Sequence, residues 1–437
     1  MPIEIDSGAF CLATPFWYNA ALAIVKPLYR SKIKKRAQNT AEYQQEYLER
    51  FGPFQPAKNL QTIWFHCVSV GETNAAQPLI EHYLKAGHTV LVTNTTKTGQ
   101  ARSKSLFLKA PYEELFQAVY LPADQKFLIA DFYQKYQPKL LILVETELWP
   151  NLIDQAKVFN VPCILVNARL SEKSAKGYGK VPSLTRPMLQ KLDRLLAQDL
   201  ATQQRFIALG SQPDQTEVVG SIKFDISAPE QFVQKAKQLQ QDWKLSSRKI
   251  ITIASTHSPE EEKLLTAFKP YLEQHSDWLL IVVPRHPERF DEVFNIAQNL
   301  NLNTQRRSLN QSIQADTQVY LADSMGEMWL WYGLSQACFV GGSLNEPGGG
   351  HNILEPMVLD VPTVIGPNYF NFQAIVDEFI QADAVAGGQS VDEVVQLLVR
   401  CLQDQAFAQQ LSQHAIEVLN RNKGSLQKHI AVIDTYL

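Results

Sequence analysis

Cysteine is scarce in this chain, with five in 437 residues, at Cys11, Cys67, Cys163, Cys338 and Cys401. They are scattered and none forms a C-x-x-C pair, so the sequence points to neither a disulfide framework nor a zinc site. Cys67, Cys163 and Cys338 fall inside predicted strands and read as core thiols, which fits a reducing compartment. Net charge is also small, −3 at pH 7. That argues against bulk electrostatic binding to nucleic acid. No internal repeat or low-complexity segment stands out. A secretory signal is missing too, because it would carry positive charge before an apolar region, and here the basic residues come after it.

The hydrophobic fraction of 45% is ordinary for a globular chain. At this length two domains of about 200 residues each are the natural expectation. Residues 8–25 carry no formal charge and are rich in Phe, Leu, Ala, Trp and Tyr. Lys26, Arg30, Lys32, Lys34, Lys35 and Arg36 then crowd into eleven residues. Eighteen uncharged residues lie at the lower limit for a membrane span. Pro15 and Asn19 weaken the case for a straight helix. The basic cluster would keep the body of the protein on the cytoplasmic side. A tilted span, an in-plane anchor and a helix packed on the body are all open, the first two placing basic side chains on anionic lipid.

Downstream, strands alternate with helical lengths. Predicted strands fall at 62–68, 89–93, 118–121, 139–144, 162–166 and 194–197, and a second series follows at 249–254, 278–283, 317–321, 337–340 and 362–365. This alternation argues for doubly wound parallel sheets. The first series ends near residue 225, and a linker is placed at 225–247. The boundaries drawn are an anchor and basic segment at 1–36, a first domain at 37–225 and a second at 226–437, two similar domains with a cleft between them.

Ligands of such sheets bind beyond the carboxyl ends of the strands. The residues there are suggestively polar. Ser69 and Glu72 follow the first strand, Glu145 and Glu147 the fourth, and Asn167 and Arg169 the fifth. A Glu just after a Gly, opening a helix, is a candidate general base. Each of these residues is also compatible with a surface carboxylate or a helix cap. In the second series the loops read Ser255-Thr256-His257, Pro284-Arg285-His286-Pro287-Glu288-Arg289 and Asp323-Ser324-Met325-Gly326-Glu327. After the strand at 337–340 come five glycines in ten residues, 341–350, and then His351-Asn352-Ile353-Leu354-Glu355. Glycines let backbone N–H groups approach a ligand closely. His351-Asn352 stands where a helix could begin, a place that favours anions. Glu355 lies three residues after Asn352, on the same helical face. An amide near phosphate and a carboxylate near ribose make a sensible nucleotide clamp, though a Gly-rich turn before an ordinary helix is equally open.

Taken together, these loops resemble those of the Kdo transferases of lipopolysaccharide synthesis, membrane-associated glycosyltransferases of the two-domain GT-B fold. The resemblance rests on Ser69-Val70-Gly71-Glu72-Thr73, Glu145-Thr146-Glu147-Leu148-Trp149-Pro150-Asn151, Asn167-Ala168-Arg169-Leu170-Ser171, Gly220-Ser221-Ile222-Lys223-Phe224-Asp225, Pro284-Arg285-His286-Pro287-Glu288-Arg289-Phe290, Met325-Gly326-Glu327 and Gly341-Gly342-Ser343 with His351-Asn352-Ile353-Leu354-Glu355. These stretches run in order from about residue 60 to 375. The family usually has a shorter glycine stretch before the His-Asn pair, which leaves the path of that loop open.

The resemblance implies CMP-Kdo as donor and the glucosamine disaccharide of a lipid A precursor as acceptor, at the cytoplasmic face of the inner membrane. It implies Glu72 as proton acceptor and Glu145 and Lys223 as transition-state stabilisers. It implies a CMP site made by Pro284, Arg285, Met325, Gly326, Glu327, Asn352, Ile353, Leu354 and Glu355. Loss of CMP from an anomeric carbon builds positive charge on the sugar and negative charge on phosphate. A base must take the hydroxyl proton, and carboxylates favour oxocarbenium character. Arg285, Lys223 and a helix N-terminus can meet the phosphate. No cofactor or metal is implied. Spacing alone leaves two other readings: a UDP-sugar glycosyltransferase or epimerase, and a non-catalytic membrane-tethered nucleotide-binding scaffold.

Overall fold

Runs such as Ile63-Trp64-Phe65-His66 and Leu140-Leu141-Ile142-Leu143-Val144 are buried at every residue, as strands covered on both faces require. A computed structural model describes residues 14–37 and 41–437 of the chain. Those residues divide into two units, the first ending at residue 225 and joined by 423–437, the second 226–422.

The first unit is built on β1 (Ile63–His66), β2 (Val90–Asn94), β3 (Phe116–Tyr120), β4 (Leu140–Val144), β5 (Cys163–Ala168), β6 (Arg194–Ala197) and β7 (Thr216–Val218). All pair in parallel in the order β3-β2-β1-β4-β5-β6-β7. The order reverses between β1 and β4, which makes their carboxyl ends the expected ligand position. The second unit has β8 (Lys249–Thr256), β9 (Trp278–Pro284), β10 (Thr304–Arg306), β11 (Val319–Leu321), β12 (Ala337–Val340), β13 (Thr363–Ile365) and β14 (Ala386–Gly387). These too are parallel, in the order β10-β11-β9-β8-β12-β13-β14, with the reversal between β8 and β12. The short edge strands β7, β10 and β14 have no counterpart in the sequence reading, because only one residue of each is buried and no apolar run marks them.

The described part of the N-terminal segment is one helix, Phe16–Ala37, with Pro27 inside it. Residues 8–13 of the proposed anchor lie outside the described residues. One face of the helix is tied to the body: Tyr18 donates to Asp124 at 2.8 Å, Asn151 donates to the Asn19 side-chain oxygen at 3.0 Å, and Ile33 is buried in the core. The other face leaves Phe16, Ile24 and Leu28 at 87%, 76% and 74% exposure. Among the described residues no helix is long and apolar enough to cross a membrane.

The last helix, Ser425–Asp434, packs on the first unit, although the sequence reading assigns residues 226–437 to one domain. The reason is a set of specific partners. The Asp225 carboxylate accepts from the N–H groups of Gly424 and Leu426, capping the helix start. Ile430 and Ile433 are buried in the core beside β1 and β4. Fully buried His429 uses Nε2 to accept from the N–H of Asn167, at 3.0 Å, and its Nδ1 lies 2.7 Å from the Ser425 carbonyl. Burial pushes the His429 pKa down to about 4, so the ring is neutral and its Nε2 can accept. His429→Leu keeps an apolar ring-sized volume but leaves the buried Asn167 N–H without an acceptor, at a cost of about 1–3 kcal/mol. Chemical unfolding of the full chain should show the first unit's transition displaced by that amount, and an unchanged transition would remove His429 from this role.

Candidate active site

Ser69 caps the helix Val70–Lys85, and Glu72 is the third residue of that helix. This is a variant of the capping box in which the Glu reaches past the N-cap residue to the one before it. The Ser69 hydroxyl donates to Glu72 Oε1 at 3.0 Å, and Glu72 Oε2 accepts from the N–H of Val68 just beyond β1. Burial, and then the charge of Glu147, push the Glu72 pKa up to about 8 against the pull of the Val68 N–H. Glu145 follows β4 with φ of 62°, left-handed backbone that costs a non-glycine residue about 1–3 kcal/mol. β5 and its following residue clamp this turn: Glu145 N–H donates to Val166 and the N–H of Arg169 donates to the Glu145 carbonyl. The turn aims the Glu145 carboxylate at Lys223, 2.9 Å away. Lys223 sits in the turn Ile222–Phe224, and the N–H of Ile222 donates to Asn167 Oδ1 at 3.2 Å. Asn167 is also left-handed, φ 50°, and fully buried. So Glu72, Glu145 and Lys223 gather at the reversal of the first sheet.

Two further residues belong to this group. Glu147 accepts from Trp149 Nε1 at 3.0 Å, and burial pushes its pKa up to about 7. His66, at the end of β1, is wholly buried, with Nδ1 held 3.1 Å from the Thr93 carbonyl. Burial drives its pKa down to about 3. Its bare Nε2, 3.9 Å from Glu147, is therefore uncharged and forms no ion pair. In the sequence His66 falls inside the predicted strand 62–68, which gave it no chemical mark. A cavity of about 370 Å³ opens beside Glu147 and Trp149, lined mostly by Tyr18, Leu148, Tyr178, Val181 and Met188.

In the second unit the decisive residue is one the sequence reading did not single out. Glu260 opens the helix Glu260–Gln274 and is 1% exposed. Its carboxylate accepts from four backbone N–H groups: His257 at 2.9 Å, Gly342 at 2.8 Å, Ser343 at 3.0 Å and Leu344 at 2.8 Å. Burial pushes its pKa up, and those donors pull it back. The glycine-rich stretch was expected to offer its N–H groups to a ligand. Instead Glu260 takes those of Gly342, Ser343 and Leu344, while Gly341, Gly349 and Gly350 donate to Ala254, Asn368 and Gly342. The glycines serve close approach. A Cβ on Gly341 would stand 2.8 Å from the Ser255 carbonyl oxygen, and one on Gly342 would meet the His351 ring at 3.0 Å.

The other sequence-predicted residues surround this loop. Pro284 ends β9 buried, and Arg285 is exposed with its N–H on the Thr256 carbonyl at 3.0 Å. Met325 is exposed and Gly326 turns at φ of 80°. The Glu327 carboxylate is taken up by Arg307, in a two-bond fork at 2.9 Å each, and by Lys235 and Ser324. The Arg307 bonds hold its pKa down at about 2. What residues 325–327 leave open is chiefly backbone and the Met325 side chain. Asn352 and Glu355 do come together, the Asn352 amide donating at 3.3 Å, while its Oδ1 accepts from the N–H of Leu354. Ile353 and Leu354 are buried, so their side chains pack inward.

Glu260→Gln keeps the shape but offers the four N–H groups one neutral oxygen. Bonds to charged groups are worth about 1.5–3 kcal/mol each. Amide hydrogen exchange should accelerate at residues 342–344 of the variant, and nucleotide affinity should fall with it. Unchanged protection there would show that the loop holds itself.

A family model described as 3-deoxy-D-manno-octulosonic-acid transferase (kdotransferase) matches residues 45–226. The chain is 36% identical over 427 residues to the 3-deoxy-D-manno-octulosonic acid transferase of Haemophilus influenzae, covering 97% of this chain and 98% of that one. It is 32% identical over 394 residues to the enzyme of the same name from Bordetella pertussis, covering 89% and 90%. Among solved structures, a glycosyltransferase from Rickettsia africae covers 86% of this chain and 99% of its own with a TM-score of 0.53, and at 14% identity that likeness speaks for the fold alone.

Proposed function

The chain belongs to the Kdo transferases, glycosyltransferases that use a sugar-nucleotide donor in lipopolysaccharide core synthesis, and on that premise we propose how its residues divide the work. The donor is CMP-Kdo, held by the second unit through Arg285, residues 325–327 and the Asn352–Glu355 pair. The acceptor is a sugar hydroxyl of the glucosamine disaccharide of a lipid A precursor, received at the first unit. Glu72 takes the hydroxyl proton as oxygen attacks the anomeric carbon. Glu145 and Lys223 stabilise the charge that develops. The observation that carries this reading is the meeting of Glu72, Glu145 and Lys223 at the β1–β4 reversal, with Lys223 2.9 Å from Glu145, where burial and Glu147 raise the proton affinity of Glu72. A base with a pKa near the working pH holds a proton well and is still partly free to take one.

Glu72→Gln should lower turnover by about 100- to 10,000-fold while leaving CMP affinity unchanged. Near-normal turnover would end the assignment. The pH profile gives a second check. Glu72 must be ionised to act, so kcat/KM of the unaltered chain should rise with pH through about 8 and level off above it. Glu147→Gln removes a charge that raises the Glu72 pKa, so the rise should move to lower pH. An inflection that stays put in that variant would detach Glu147 from the base.

The membrane reading is supported by the exposed face of the helix Phe16–Ala37. Phe16, Ile24, Val25 and Leu28 stand out from the body, and Arg30, Lys32, Lys34 and Lys35 follow on the exposed surface. Such a helix lies in the interface with apolar side chains in lipid and basic ones on anionic head groups, each basic residue adding about 1 kcal/mol. It would keep the chain at the cytoplasmic face of the inner membrane, where the acyl chains of the acceptor remain. The intact chain should float with anionic vesicles, and largely keep doing so at high salt. Phe16→Ser, Ile24→Ser and Leu28→Ser together should release it without loss of CMP binding. No flotation of the intact chain at low salt would defeat the anchor.

A further inference from the structure

His257, just past β8, and His351, at the end of the glycine-rich loop, face each other with their Nε2 atoms 2.7 Å apart. Their ring planes differ by 5° and their centres are 5.0 Å apart. With so short an N···N distance, that geometry places the two imidazoles edge to edge in one plane, the shared hydrogen on the line between them. One Nε2 must donate and the other accept. The accepting ring then carries its other proton on Nδ1, and the donating ring has a bare Nδ1. One added proton, placed on that bare nitrogen, leaves the inner bond intact. It gives the pair a positive charge and an N–H donor on both Nδ1 atoms.

We infer that the His257–His351 pair is a further part of the donor site and binds the phosphate of the nucleotide together with one proton. The inference rests on the donor reading above. The pair lies at the β8–β12 reversal, and Arg285 and His286 reach it from the loop after β9. It is fixed from both sides by one residue: Glu260 holds the N–H of His257 and the N–H of Gly342, on whose bare Cα the His351 ring rests. The charged groups facing the pair are Arg285, His286 and Arg289 from the loop after β9, and Glu260 and Glu261 from the helix Glu260–Gln274. Glu260 is spent on backbone N–H groups and Glu261 is paired with Arg289 at 2.6 Å. Glu261 still pulls the His257 pKa up, but burial and His286 outweigh it. Without ligand the pair is neutral. Burial, and then His257, Arg285 and His286, lower the His351 pKa to about 4, and burial with His286 lowers that of His257.

A phosphate dianion changes that balance, because an adjacent opposite charge favours the protonated form. The donor's phosphodiester carries one negative charge and released CMP carries two. As the bond between anomeric carbon and phosphate oxygen breaks, its electron pair stays on that oxygen. The pair meets the added charge with a proton from solvent, while the acceptor's proton goes to Glu72.

Calorimetric titration of CMP into the full chain at about pH 7.5, in two buffers of different ionisation enthalpy, measures the protons taken up. At that pH the nucleotide phosphate is already a dianion, its second pKa being about 6. Uptake approaching one proton per CMP is expected, none with cytidine, and little with CMP in His257→Asn or His351→Asn, whose CMP affinity should also fall about tenfold or more. CMP binding without proton uptake, equal uptake with cytidine, or uptake that persists in both variants would overturn the inference and leave the donor reading standing. Failure of the unaltered chain to bind CMP at all would overturn both. The cytidine arm decides even where a variant fails to fold, since it uses only the unaltered chain.

Discussion

A glutamate carboxylate turned back onto the backbone N–H groups just beyond the first strand fixes the site in each unit. Glu72 accepts from Val68 after β1. Glu260 accepts from His257 after β8. The local device is the same, an N–H at the start of a helix satisfied by a carboxylate a turn later. The loading differs. Glu260 collects four N–H donors and has little capacity left, so it acts as a fastener for the glycine-rich loop. Glu72 has one N–H and one hydroxyl donor, and its neighbours are other carboxylates. A buried carboxylate with few donors and negative neighbours gains proton affinity. One arrangement yields a scaffold and the other a carboxylate with raised proton affinity.

The two sites also differ in polarity in the sense the reaction needs. Around Glu72 stand Glu145 and Glu147, with Lys223 bonded to Glu145 and His66 neutral. That surrounding favours accepting a proton and tolerates positive charge on a sugar carbon. Around the glycine-rich loop stand Arg285, His286 and the His257–His351 pair, which suit a phosphate. Neither set relies on a long run of charge, which is why the net charge of −3 conceals both.

Much of the fold was legible because parallel strands buried on both faces read as unbroken apolar runs, and the residues after those runs are where ligands bind. Glu72 and Glu145 came from those positions, Lys223 came only from the resemblance, and the Asn352–Glu355 spacing became a hydrogen bond. Glu260 was not legible. It is the first of three consecutive glutamates, which read as an ordinary acidic first turn, and only the return of β12 beside β8 brings residues 342–344 to it. The glycines misled for a related reason: a glycine N–H free to meet a phosphate and one already held by a buried carboxylate look the same in sequence. The edge strands β7, β10 and β14 bury one residue each and so lack the apolar run that marks the similarly short β11 and β13.

The return of the chain to the first unit has a consequence for Lys223. Asp225 is the last residue of that unit before the chain leaves, and its carboxylate caps the helix with which the chain comes back. That helix brings His429 to the N–H of Asn167, and Asn167 in turn holds the N–H of Ile222 beside Lys223. Two of these groups, Asn167 and His429, are fully buried, so any one missing partner leaves a polar atom without water or protein to satisfy it. The lysine that faces Glu145 is therefore held by residues more than 200 positions later in the chain. The last of these supports comes from residues that follow the second unit in the chain. A truncation at residue 422 would keep every residue assigned to catalysis in sequence and still lose the support that orients one of them.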